Sequence, residues 1–146
     1  MNREQVQKQL AIDEGIVHEI YLDHLGYATF GIGHLITDND PEQGLPVGTP
    51  VSEERVTEAF QADLDIAIGE CKVLYDLWET YPGEVQEILV NMMFNLGRPR
   101  LSKFKNFKKA VDAGDWKTAG LEGRDSLWWK QVGNRAERLM VRMENV

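Results

Sequence analysis

Strand-forming residues in this chain are confined to one stretch, and that confinement restricts its fold more than any other feature. Between residues 16 and 36, Ile16, Val17, Ile20, Tyr21, Tyr27, Thr29, Phe30 and Ile32 are interleaved with Gly26, Gly31 and Gly33. Such β-branched and aromatic residues, punctuated by turn glycines, predict two or three short antiparallel strands. The rest reads as helix or loop. Residues 2–13 predict a short amphipathic helix with Val6, Leu10 and Ile12 inward, stopped by Gly15. Residues 37–50, rich in Asp, Asn, Pro and Gly, predict a loop. Ser52 then caps a helix carrying Val56, Phe60, Leu64 and Ala67 at helical spacing, with Glu53 and Glu54 in its first turn.

Further helices follow. The run from Val85 to Leu96 is apolar around most of its girth and stops at Gly97, as a central core helix would. Phe104 to Ala113 is another, ended by Gly114; Asp115 caps a short one from Trp116, and the last runs from Asn134 to Met143. About five helices after a single strand region describe an α+β fold, mostly helical, rather than a βαβ sheet.

Composition narrows the function classes. At 146 residues the chain is long enough to bury a core without staples, and its lone Cys71 can form no internal disulfide. No apolar run approaches the roughly 18–20 residues of a membrane span, and the first residues lack the apolar stretch of a secretory signal. Sixteen Lys and Arg against 24 Asp and Glu leave a net charge of −8. That balance excludes binding driven by neutralising nucleic-acid phosphates. The cluster Lys103, Lys105, Lys108 and Lys109 reads as a solvated helix face.

The chemistry is concentrated where the first helix meets the strands. Eight residues separate Glu14 from Asp23, and five separate Asp23 from Thr29. A carboxyl at a helix end faces the negative pole of the helix dipole, an environment suited to an acid that holds its proton. A second carboxyl on a wetter turn can orient water or stabilise positive charge, and glycosidases use such a pair. A Thr hydroxyl beside them can hold the attacking water.

The segment Ile12-Asp13-Glu14-Gly15, Ile20-Tyr21-Leu22-Asp23 and Gly26-Tyr27-Ala28-Thr29-Phe30-Gly31-Ile32-Gly33-His34 resembles the phage-type lysozymes, glycoside hydrolase family 24. The likeness continues through Phe60-Gln61-Ala62-Asp63, Asn91 to Gly97, Ser126-Leu127-Trp128-Trp129 and Asn134-Arg135-Ala136 with Arg138. It implies a single lysozyme-like domain over residues 1–146. The sheet lobe would cover about 14–60; the helical lobe would cover 61–146 together with the first helix, with substrate between the lobes.

By the same resemblance, Glu14 is the general acid, Asp23 places the water and Thr29 holds it. Arg135 positions the acid, while Leu35 and Phe94 line the sugar site. His34 and Asp63 form a structural ion pair, and Trp128 and Trp129 are packing residues. The implied reaction is hydrolysis of the β-1,4 bond between N-acetylmuramic acid and N-acetylglucosamine in peptidoglycan, with no metal or other cofactor. The implied protein is a monomer with no nucleic-acid partner and no membrane insertion. It is made in the host cytoplasm and reaches the wall after release, through a lysis-pathway partner, or in a virion. A lytic transglycosylase on a related fold and a noncatalytic wall-binding or virion module are the alternatives. Phe107 and Glu122 depart from the family pattern, which places smaller or neutral polar groups there.

Overall fold

The computed structural model describes residues 1–146. It is 61% helical, and its strands are confined to one three-stranded antiparallel sheet near the N-terminus. The order is α1 (Arg3–Glu14), β1 (Val17–Leu22), β2 (Ala28–Gly31), β3 (His34–Leu35) and α2 (Glu53–Leu74). A 3-10 turn (Trp78–Thr80) and α3 (Gly83–Leu96) follow. Then come α4 (Arg98–Leu101), α5 (Lys105–Asp112), α6 (Trp116–Arg124), α7 (Leu127–Val132) and α8 (Asn134–Glu144). No helix is long and apolar enough to cross a membrane.

The α+β class read from the sequence is the one observed. Helix ends follow local chemistry: Ser52 Oγ accepts the Arg55 N–H at 3.1 Å, and Asp115 Oδ1 accepts that of Thr118 at 3.2 Å. Three elements escape a periodicity reading: the turn at Trp78–Thr80, α4 and α7. Each is shorter than two helical turns, so no apolar repeat can show. Ile12 is a correction. It is 74% exposed, because a step of two from buried Leu10 turns a side chain about 200° around the helix.

Residue contacts divide the chain into two compact units, with boundaries inside α1 and α2. The sheet unit is Gln7–Asp65; the helical unit is Met1–Val6 with Ile66–Val146.

In the sheet unit the strands run in the order β1-β2-β3. Tyr21 pairs with Thr29, Thr29 with Leu35 and Phe30 with His34. Successive side chains in a strand point to opposite faces. Ile20, Phe30 and His34 therefore fill the buried face, and Tyr21, Thr29 and Leu35 form a row across the other. The outer edge of β1 is also satisfied: Ile20 N–H donates to Thr49 O at 2.9 Å and Val51 N–H to His18 O at 2.9 Å. The 37–50 loop thus returns along the edge and leaves no open strand template there. Leu10, Val51, Val56, Phe60 and Leu64 complete the unit's buried apolar set. Each large side chain among them stabilises by about 1.5–3 kcal/mol.

The helical unit is organised around α3, whose Val85, Ile88, Leu89, Val90, Met92, Met93 and Leu96 are buried. Helix α8 buries Ala136, Leu139, Met140 and Met143, and α6 meets it through Ala119, Gly120 and Gly123. Trp128 is buried and its indole N–H donates to Asn95 Oδ1 at 2.8 Å. The Trp129 indole N–H donates to Glu137 Oε2 at 2.8 Å. Both polar handles are thereby satisfied within the unit. Burial pushes the Cys71 thiol up to about 12, so it stays protonated and unreactive.

Candidate active site

Glu14 is the last residue of α1. The next residue, Gly15, adopts φ +77° and donates its N–H to Ala11 O at 3.0 Å, which ends the helix and turns the chain into β1. The Glu14 side chain lies against the turn between β2 and β3. A Cβ built on Gly33 would stand 3.3 Å from Glu14 Oε2 and 3.7 Å from its Cβ and Cδ. Gly33, at φ +63°, therefore seats the carboxyl where another residue would crowd it.

Asp23 sits at the head of the β1–β2 hairpin, and its orientation is set by backbone groups. Its Oδ1 accepts the N–H groups of Leu25 and Tyr27, both at 2.9 Å. Its own N–H donates to Tyr27 O at 2.9 Å. One carboxylate oxygen is thus anchored by the turn, which fixes the direction of the other.

Thr29 is buried in β2 and its hydroxyl donates to Tyr27 O at 2.9 Å. The hydroxyl proton is spent on that bond, so the oxygen faces any further partner as an acceptor. Leu35, its cross-strand neighbour, is 50% exposed. Tyr21, its neighbour on the other side, is half-buried. The Tyr21 phenol pKa is raised, first by burial and then by the negative fields of Glu14 and Asp23, so both acids act at its hydroxyl.

The sheet unit carries Glu14, Asp23, Thr29 and Leu35, and Tyr21, which the sequence reading did not single out as a site residue, pairs with Thr29. Period-two alternation could have found it. Tyr21 stands at the end of β1 two residues before the turn residue Asp23, with the parity of the strand that faces Thr29.

His34, on the opposite face, has anions on both sides. Its Nδ1 lies 2.7 Å from Asp63 Oδ2 and its Nε2 lies 2.9 Å from Asp40 Oδ2. Carboxylates only accept, so satisfying both requires the doubly protonated ring. The Asp63 hydrogen bond raises the His34 pKa against the opposing effect of burial, and Asp40 adds to the rise. Arg55 extends the network, pairing with Asp40 at 3.0 Å, with Glu42 at 2.9 Å and with Glu58 at 2.9 Å. Its guanidinium also lies 5.5 Å from the centre of the Phe30 ring. Asp40, Glu42 and Arg55 carried no sequence signal, because their contacts join a loop to a helix with no periodic relation.

Phe94 and Arg135 belong to the helical unit, on α3 and α8. Phe94 is half-buried. Arg135 Nε donates to the buried Asn91 Oδ1 at 3.0 Å, which fixes the plane of its guanidinium. No group of three or more His, Cys, Asp or Glu side chains is arranged to hold a metal ion.

The family model for phage lysozyme matches residues 11–145. The chain belongs to the phage lysozyme family. It is a lysozyme-type enzyme, and its relatives place that domain in different settings. It is 32% identical to the pre-baseplate central spike protein Gp5 of Enterobacteria phage T4, over 92% of this chain and 26% of that protein. Probable T4-type lysozyme 2 of Dictyostelium discoideum is 27% identical, over 92% of this chain and 91% of that protein. The peptidoglycan hydrolase gp36 of Pseudomonas phage phiKMV is 30% identical, over 94% of this chain and 15% of that protein. The chain thus spans about a quarter or less of the two phage proteins and nearly all of the Dictyostelium one.

Proposed function

We propose that this lysozyme-type enzyme cleaves the β-1,4 bond between N-acetylmuramic acid and N-acetylglucosamine in peptidoglycan. Glu14 delivers its proton to the glycosidic oxygen as the bond to the anomeric carbon breaks. A water attacks that carbon from the opposite face, giving its proton to Asp23 as the new C–O bond forms. Thr29 accepts a hydrogen bond from that water, and Arg135 takes the acid-positioning role. Leu35 and Phe94 contact the sugars, while His34 and Asp63 have a structural role.

The observation that carries this reading is the acceptor pair on the sheet. Asp23 has one oxygen held by two backbone N–H groups, and Thr29 has its proton committed to Tyr27 O. Both present lone pairs to a water, which donates two protons and keeps its own lone pair for attack. The wall is the target of the whole protein too, reached after host-cell release or from a virion; the name of the phage T4 spike relative supports the virion setting, and that of the phiKMV relative supports a peptidoglycan target.

Purified protein added to a peptidoglycan suspension should clear it, and Glu14→Gln should reduce clearing by at least about 100-fold. Mass spectrometry of the products should show reducing ends. Products lighter by one water, carrying 1,6-anhydro ends, would instead mean transglycosylation. Equal, negligible clearing by both proteins would mean a binding module.

A further inference from the structure

The row Tyr21–Thr29–Leu35 places a phenol on the same sheet face as the Thr29 hydroxyl and directly across from it. Two of the polar groups beside it are acceptors. Asp23 is a carboxylate, its hairpin position fixed by Leu25 and Tyr27 N–H, and the Thr29 proton is already given to Tyr27 O. The Tyr21 hydroxyl donates to no protein group. It is a donor on this face of the sheet that is open to a ligand.

We propose that Tyr21 is a sugar-binding residue of this site, its hydroxyl donating to an oxygen of the sugar held between Glu14 and Asp23. The inference rests on the glycan reading above and assigns that site a further contact. The Glu14 proton is committed to the glycosidic oxygen, so the other sugar oxygens need a donor of their own. The phenol suits the task because it stays neutral. Burial and the two acid fields push its proton loss upward, so it remains a donor wherever the acids work. Its ring also covers apolar sugar surface beside Leu35, which is half exposed on the far side of Thr29.

The test compares Tyr21→Phe with wild type in two ways. Loss of the hydroxyl should lower kcat/KM on soluble wall-glycan fragments about tenfold, carried mainly by KM, with the melting temperature unchanged. On a Glu14→Gln background, calorimetric binding of the same fragments should weaken by about the same factor. Unchanged KM and unchanged Kd in the Phe variant would overturn the assignment. If fragments bind but are not cleaved, the hydrolytic reading fails while the binding comparison still decides the role of Tyr21. If no protein binds them, both fall. Tyr21→Leu, which also removes the ring, should lose more affinity than Tyr21→Phe; equal losses would leave the ring without a share.

Discussion

At the residue scale the site depends on small features that hold larger ones. Gly33 is the clearest. With φ at +63° and Glu14 Oε2 3.3 Å from a built Cβ, Gly33→Ala combines backbone strain with a push on the acid. The strain alone costs about 1–2 kcal/mol. Activity should fall further than stability, and parallel measurements of kcat and melting temperature would separate the two. A drop in melting temperature with kcat intact would show that Gly33 serves the fold alone. Thr29 gives a second expectation. Serine keeps the hydroxyl as an acceptor of water, so Thr29→Ser should retain most activity while Thr29→Ala loses about 100-fold. Much of this was legible in the chain, since Glu14, Asp23 and Thr29 lie within sixteen consecutive residues on elements whose ends are locally specified. The seating of Glu14 by Gly33 was not, because it depends on how the β2–β3 turn packs on a helix end.

At the scale of elements, His34 joins β3, the 37–50 loop and α2 through Asp40 and Asp63, with Arg55 holding Asp40 from α2. Its raised pKa means this stabilisation is fully present below the unfolded value of about 6.5 and is lost as pH rises through the folded value. Asp40 behaves oppositely. Burial works against its charge, but hydrogen bonds from Thr37 and His34 outweigh burial and hold its carboxyl at about 2. Its share is present above its ordinary value and is lost as pH falls toward about 2. Stability should therefore plateau from about pH 4 to 6.5 and decline on the alkaline side. His34→Asn should cost about 1–3 kcal/mol at pH 6, mainly by taking the partner from part-buried Asp63, since Asp40 keeps Arg55 and Thr37. NMR titration of the His34 ring decides the matter, since an ordinary pKa would remove the two-sided clamp. The α6–α8 contact is a second element-scale case. A Cβ on Gly120 would lie 3.0 Å from the Met140 carbonyl oxygen, and one on Gly123 would overlap the Met140 sulfur. The Met140 side chain can move, but the α8 backbone cannot easily do so. Gly120→Ala should thus cost about 1–3 kcal/mol of denaturant stability, and more than Gly123→Ala.

At the scale of the molecule, the charge of −8 sets how the protein meets an anionic surface. Like-charge repulsion slows encounter and is screened by salt, with a Debye length of about 30 Å at 0.01 M and 10 Å at 0.1 M. Clearing of an anionic wall suspension should rise as salt increases over that range, opposite to what a basic enzyme would show. A falling rate would mean that a local basic surface, such as the one carrying Lys103, Lys105 and Lys109, governs the encounter instead.

What the chain determined by itself is whatever depends on spacing along it. Strand formers in one stretch made the sheet, the longer helices followed from apolar periods and capping residues, and the resemblance of the Glu14–His34 segment to the phage-type lysozymes picked out Glu14, Asp23 and Thr29 as candidates. What only the tertiary structure decided are contacts between segments with no shared period. Asp40 joining His34, Arg55 reaching Glu42, Trp128 finding Asn95 and Gly33 seating Glu14 are all of this kind. The physical reason is that local propensity fixes which way a side chain leaves its own element, whereas its partner is fixed by where packing brings another segment.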